Sequence, residues 1–198
     1  MAAVSVLVTA TAGCGDDGRD LREPRADQTT TSAPTVTTTT TVAAAGGSTT
    51  TTVPMQLTSP SFTDGSTIPP AYTCRGDDIS PPLSWVGIPA DTVELALVVR
   101  DIDADMFAHW VVAGLSPAVG GLTEGTPPPG TEATNDFGRP GWAGPCPPSG
   151  THNYEFQLFA LAEPSGVTAG QPATDAIAAI ESRAMYGSAA LSGQASAG

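Results

Sequence analysis

The stretch Glu94-Leu95-Ala96-Leu97-Val98-Val99-Arg100-Asp101-Ile102-Asp103-Ala104-Asp105-Met106-Phe107-Ala108-His109-Trp110-Val111-Val112 decides the fold. Two strands are read from it. In Glu94–Asp101, period-two alternation puts Leu95, Leu97, Val99 and Asp101 on one face and Glu94, Ala96, Val98 and Arg100 on the other. A carboxylate thus closes an apolar face. In residues 107–112 the same counting groups Phe107, His109 and Val111. Further along, residues 152–161 group His152, Tyr154, Phe156, Leu158 and Ala160 opposite Asn153, Glu155 and Gln157. Both histidines of the chain therefore sit on the apolar sides of strands.

Outward from these strands, residues 55–161 consist of short alternating runs punctuated by Pro and Gly, the pattern of an all-β sandwich. Residues 172–190 read as a helix near the C-terminus: proline suits an early position, and Ile177, Ile180 and Ala184 recur on one stripe.

The first quarter cannot build a core. Residues 28–53 are half threonine with almost no large apolar side chain, so ordering them would cost entropy with no burial to offset it. Residues 15–54 are read as a disordered tether, and a chain of about 40 residues spans on the order of 35 Å. Before it, the apolar run from Val4 ends in Ala12-Gly13-Cys14. Residues 1–14 resemble a bacterial lipoprotein signal, in which Cys14 becomes the lipidated first residue. The segment departs from that pattern in having Thr11 where leucine is usual and no positively charged start. The alternative is an apolar N-terminus of a cytosolic protein. A stretch this short cannot span a bilayer as a helix.

With Cys14 assigned to lipid, Cys74 and Cys146 remain, either as a disulfide or as two buried thiols. The chain has no lysine, and its seven basic against twenty acidic residues give a formal net charge of −13. Nucleic acid is excluded as a partner, since affinity for a polyanion rests on clustered Lys and Arg. Anionic membrane surfaces are disfavoured for the same reason; the membrane is reached through the N-terminal lipid anchor only.

Four short motifs recur in order: Ser80-Pro81-Pro82-Leu83-Ser84-Trp85, Asp101 to Trp110, Asn135-Asp136-Phe137-Gly138, and Gly144-Pro145-Cys146-Pro147-Pro148 leading to His152-Asn153-Tyr154. From about Met55 to Gly193 the series resembles the phosphatidylethanolamine-binding protein family, in its bacterial Raf-kinase-inhibitor-like branch. The resemblance implies an antiparallel β-sandwich with a few peripheral helices, spanning 55–198. It further implies one pocket for phosphate-like head groups, lined here by Asp101, Asp103, His109, Cys146, Pro147, Pro148, His152 and Tyr154. Imidazole N–H groups and turn amides such as those of Ser149-Gly150-Thr151 would donate to an anion. Asp101 would fix a histidine's tautomer and raise its pKa. Arg100 replaces a frequent aspartate of the family motif, and Ile102 and Asp105 replace its two prolines; the loop is thereby less pre-organised and Asp105 adds a negative charge near the anion site, which together imply weaker anion affinity. The ending Gly193-Gln194-Ala195-Ser196 lacks the family's usual tyrosine and basic residue.

Each residue also has a plainer role. The histidines could be hydrogen-bonded core residues, Trp85, Trp110 and Trp142 core or pocket-wall aromatics, and Asp101 and Asp136 turn residues. The expected function is non-catalytic binding of a small anionic ligand or phospholipid head group, without cofactor or metal. An inhibitor or regulator of a protease, with a kinase less favoured, is the alternative. A metal-dependent hydrolase ranks last: two histidines and a carboxylate can hold zinc, but the chain has neither a nucleophile elbow nor a His-Glu-x-x-His motif.

Overall fold

The computed structural model describes residues 53–198; Cys14, the expected signal segment and almost all of the expected tether lie outside the described residues. Along the chain run β1 (Gln56–Thr58), β2 (Ser66–Thr67), a 3-10 turn (Pro70–Tyr72), β3 (Leu83–Val86), β4 (Glu94–Asp101), β5 (Phe107–Leu115), β6 (Gly121–Leu122), β7 (Thr131–Glu132), β8 (Thr151–Leu161), α1 (Ala173–Glu181) and β9 (Ser188–Ser196). The small sheet is ordered β1-β3-β6 and the large one β2-β9-β8-β4-β5-β7. All pairings are antiparallel except β2 with β9.

Strand β4 lies between β5 and β8 and is buried on both faces, which is why it reads as a near-continuous apolar run. Leu95, Leu97 and Val99 pack with Phe156, Leu158, Leu191 and the small sheet's Leu57, Leu83 and Trp85. Ala96 and Val98 face the other way, onto Val111, Leu161 and the helix residues Ala173, Ala176 and Ile180. Three layers result: small sheet, large sheet, helix. At the helix side, Glu94 is buried and satisfied, accepting from the Gly114 amide (2.9 Å), the Ser165 hydroxyl (2.6 Å) and the Ser165 amide (3.1 Å). Arg100 also points to this side, binding Glu181 of α1 (3.0 Å) and Gln157 (2.9 Å).

Two expectations are corrected. Phe107, His109 and Val111 do not share a face: Val99 pairs with Trp110 but Arg100 with Ala108, so His109 is the extra residue of a β-bulge. The bulge keeps Phe107 and His109 on the pocket side while Trp110 joins the core between the sheets and Val111 turns toward α1. The helix expected over 172–190 stops at Glu181, and Ser188–Ser196 is a strand that pairs with β8 along nine positions. Its small residues, Ala, Ser and Gly, favour a helix or nothing locally. Pairing supplies the strand instead, and it allows close approach: a Cβ on Gly193 would lie 2.5 Å from the Ile68 side chain. Among the described residues the expected peripheral helices are α1, near the C-terminus, and the 3-10 turn.

Candidate ligand pocket

Strands β4, β5 and β8 end at the same rim of the large sheet, and each delivers one polar group there. Asp101 closes β4, His109 is set by the β5 bulge, and His152 opens β8 beside Asp101's pairing partner Tyr154. They line a cavity of about 140 Å³ with Ala104, Phe107, Phe137, Cys146, Pro147, Pro148 and Tyr154. More spacious cavities exist, about 390 Å³ beside α1 and about 240 Å³ next to Trp110 and Trp142. Neither contains a histidine. The smaller cavity is the candidate because polar groups converge on it.

Asp101 is buried and does two jobs. One carboxylate oxygen accepts from the Asp103 amide (3.0 Å), closing the turn, and the other lies 2.8 Å from Nδ1 of His152. That contact makes Nδ1 the donor and leaves Nε2 of His152 for a ligand. His109 is arranged alike, with Nδ1 donating to the Ala143 carbonyl at 2.6 Å. Its ring sits edge-on to Phe107 (5.5 Å), Phe137 (5.4 Å) and Tyr154 (5.2 Å). Burial in this aromatic box pushes its pKa below the usual 6.5, against the Ala143 carbonyl and the Asp101, Asp136 and Asp78 charges. His109 is thus neutral at pH 7, with a bare Nε2. Tyr154 is also buried; its pKa is raised first by burial and then by Asp101, so its hydroxyl stays protonated, facing Asp101 and the Cys146 backbone.

Seven of the eight expected site residues line the cavity; Asp103 does not. Its carboxylate accepts from the Asn153 amide (2.7 Å) and side chain (2.9 Å), which hold its pKa below the usual carboxylate value. Asp103 thereby braces the turn that lacks the two prolines, a turn in which Asp105 and Met106 both have positive φ. Asp105 and Asp136 border the cavity beside α1 instead, so the extra charge of Asp105 is not in the histidine pocket. None of the three tryptophans lines it. Phe137 is not legible in the sequence as a pocket residue, because Asn-Asp-Phe-Gly reads as turn chemistry. It is that as well: Asn135 binds the amides of Phe137 (3.0 Å) and Arg139 (3.3 Å) and the carbonyl of Gly141 (3.0 Å). Asp136 accepts from the Ala108 amide (2.7 Å), which fastens this turn to the bulge and sets Phe137, 51% exposed, as the pocket's outer lip.

The third wall is the double-proline turn. Cys146 is joined to Cys74 in a disulfide, Gly144 donates to Asp78 (2.7 Å) and Cys74 donates to the Pro145 carbonyl (3.2 Å). Among the described residues, no three His, Cys, Asp or Glu side chains converge as a metal ion would require.

Residues 58–195 match the family model described as phosphatidylethanolamine-binding protein. The chain belongs to this family. A Mycobacterium tuberculosis protein named "Putative lipoprotein LppC" is 42% identical over 189 residues, covering 87% of this chain and 85% of its own. A "UPF0098 protein" of Methanothermobacter thermautotrophicus is 41% identical over 135 residues, 64% of this chain and 89% of that protein. Among crystal structures, the PEBP homolog CT736 of Chlamydia trachomatis superposes with a TM-score of 0.68 at 33% identity, over 73% of this chain and 99% of that one. Escherichia coli YbcL, described as a member of the mammalian PEBP family, gives 0.68 at 25% identity, over 74% and 100%. The two-sheet plan with one C-terminal helix is therefore the PEBP fold, and the histidine pocket is a feature of a PEBP domain.

Proposed function

We propose that this PEBP domain binds a small phosphate-like anion or a phospholipid head group in the histidine pocket without chemically altering it. We further propose that a lipid on Cys14 tethers it outside the cytoplasmic membrane. One observation carries the binding reading: both imidazoles converge on one cavity with Nδ1 already committed, leaving Nε2 of each as its free ring nitrogen. A protonated Nε2–H donates to a phosphate oxygen, and a neutral Nε2 accepts the proton of a phosphate O–H. Asp101 orients the His152 ring through their 2.8 Å contact. At about 140 Å³, the cavity is close to the roughly 150 Å³ void that takes a benzene-sized guest. A head group fits and acyl chains would stay outside. The family's description as a binding protein and the name of the LppC relative support the two halves of the proposal.

The test is titration with O-phosphoethanolamine, followed by NMR of the two imidazoles. Both should shift together and saturate. His152→Ala should weaken binding about tenfold or more, the loss of one charged hydrogen bond. Immobile imidazole signals at millimolar ligand would remove the proposal.

A further inference from the structure

The 143–148 segment that walls the pocket is poor in backbone hydrogen bonds, because Pro145, Pro147 and Pro148 have no N–H. It hangs from the 74–78 loop by three ties. Two are single hydrogen bonds, Gly144 to Asp78 and Cys74 to Pro145; the third is the Cys74–Cys146 disulfide. The disulfide is not sealed in the core: both of its cysteines are exposed. Exposed disulfides are the ones open to thiol exchange. This one touches the site directly, since Cys146 lines the cavity with Pro147 and Pro148, and Ala143 at the start of the same segment fixes the His109 ring.

We propose that the disulfide is a redox-operated latch: reduction by a dithiol frees the 145–148 wall and lowers the pocket's hold on its ligand. The regulatory consequence rests on the pocket being the binding site. Chemically, a thiolate of the dithiol attacks one cystine sulfur, forming a mixed disulfide and expelling the other cysteine as thiolate. The second thiol of the reductant then closes its own disulfide. Two electrons and two protons pass to Cys74 and Cys146. The Asp101–His152 pair does not depend on this bond, because the two residues hold each other from β4 and β8. Reduction therefore loosens one wall and spares the sheet.

The experiment compares the full chain oxidised, reduced with dithiothreitol, and as the Cys74→Ser/Cys146→Ser double variant. Amide exchange is read at Cys74, Gly144, β4 and β8, together with O-phosphoethanolamine binding. The latch predicts that Cys74 and Gly144 lose protection about tenfold or more while β4 and β8 keep theirs. Ligand should bind about tenfold more weakly, as a wall that must be re-ordered requires. Unchanged protection and affinity in the reduced protein and the double variant would overturn it. Loss of protection throughout the sheet would overturn it too, making the bond a global staple. If the oxidised protein binds no phosphoethanolamine but the two amides still open on reduction, the latch stands and the ligand proposal falls.

Discussion

At the residue scale, His109 makes the pocket's behaviour depend on pH. Its folded-state pKa lies below 6.5 because burial disfavours the charged ring. The unfolded chain then binds more protons than the folded one in the window just below 6.5. The contribution of this residue to stability is full above 6.5 and is lost as pH falls through the folded pKa. Anion binding runs the opposite way, since the protonated ring gains an Nε2–H donor. NMR titration of His109 should give a midpoint below 6.5 in free protein, moving upward when inorganic phosphate is added; a midpoint at or above 6.5 without ligand would contradict the aromatic box. Much of this residue set is legible in the chain, because Asp101, His152 and Tyr154 lie on strands whose alternation survives intact. The side of Asp103 is not legible. It lies within a turn whose path depends on Asn153, fifty residues away.

At the element scale, the bulges in β5 and the identity of β9 are the features local pattern cannot reveal. A bulge is a mismatch between partners, and nothing within 107–112 announces that β4 advances one residue where β5 advances two. The second irregularity, between Leu95 and Leu97, adjoins Gly114, whose φ is +72° and whose amide is held by Glu94. Glu94→Leu should strand the Gly114 amide and both Ser165 groups, costing about 3 kcal/mol or more by urea unfolding. Gly114→Ala has space for the methyl group but should cost about 1–2 kcal/mol for the left-handed backbone. Equal stability of the Glu94 variant and the parent would mean those groups find water instead. Strand β9 eludes reading for a different reason: Ala189, Leu191, Gly193 and Ala195 do alternate inward, but residues this small carry no strong apolar signal. The helical stripe ahead of them is extended too far.

At the scale of the whole molecule, the disulfide spans 72 positions of the chain, from the 3-10 turn region to the pocket wall. Closing a loop that long restricts the unfolded chain by about 2–4 kcal/mol. The double serine variant should melt on the order of 5–15 °C lower and remain folded, since the three-layer core does not route through either cysteine. A melting temperature unchanged within a degree would show that the unfolded chain is already constrained. The sandwich class is legible at this scale from strand length, punctuation and the motif series, while the sheet order, with β9 inserted between β2 and β8, is a long-range outcome.

Both sheets also finish on very short strands: β2 and β7 at two residues bound the large one, β1 at three and β6 at two bound the small one. Strands this brief offer a neighbouring molecule few amides and carbonyls of their own to extend; in the large sheet each covers two positions of the longer strand inside it, β9 or β5. The consequence is colloidal. Copies crowded together at high density meet these short strands first, while the long apolar strands β4 and β8 pair with each other in the middle of the sheet, beyond a neighbouring copy's reach.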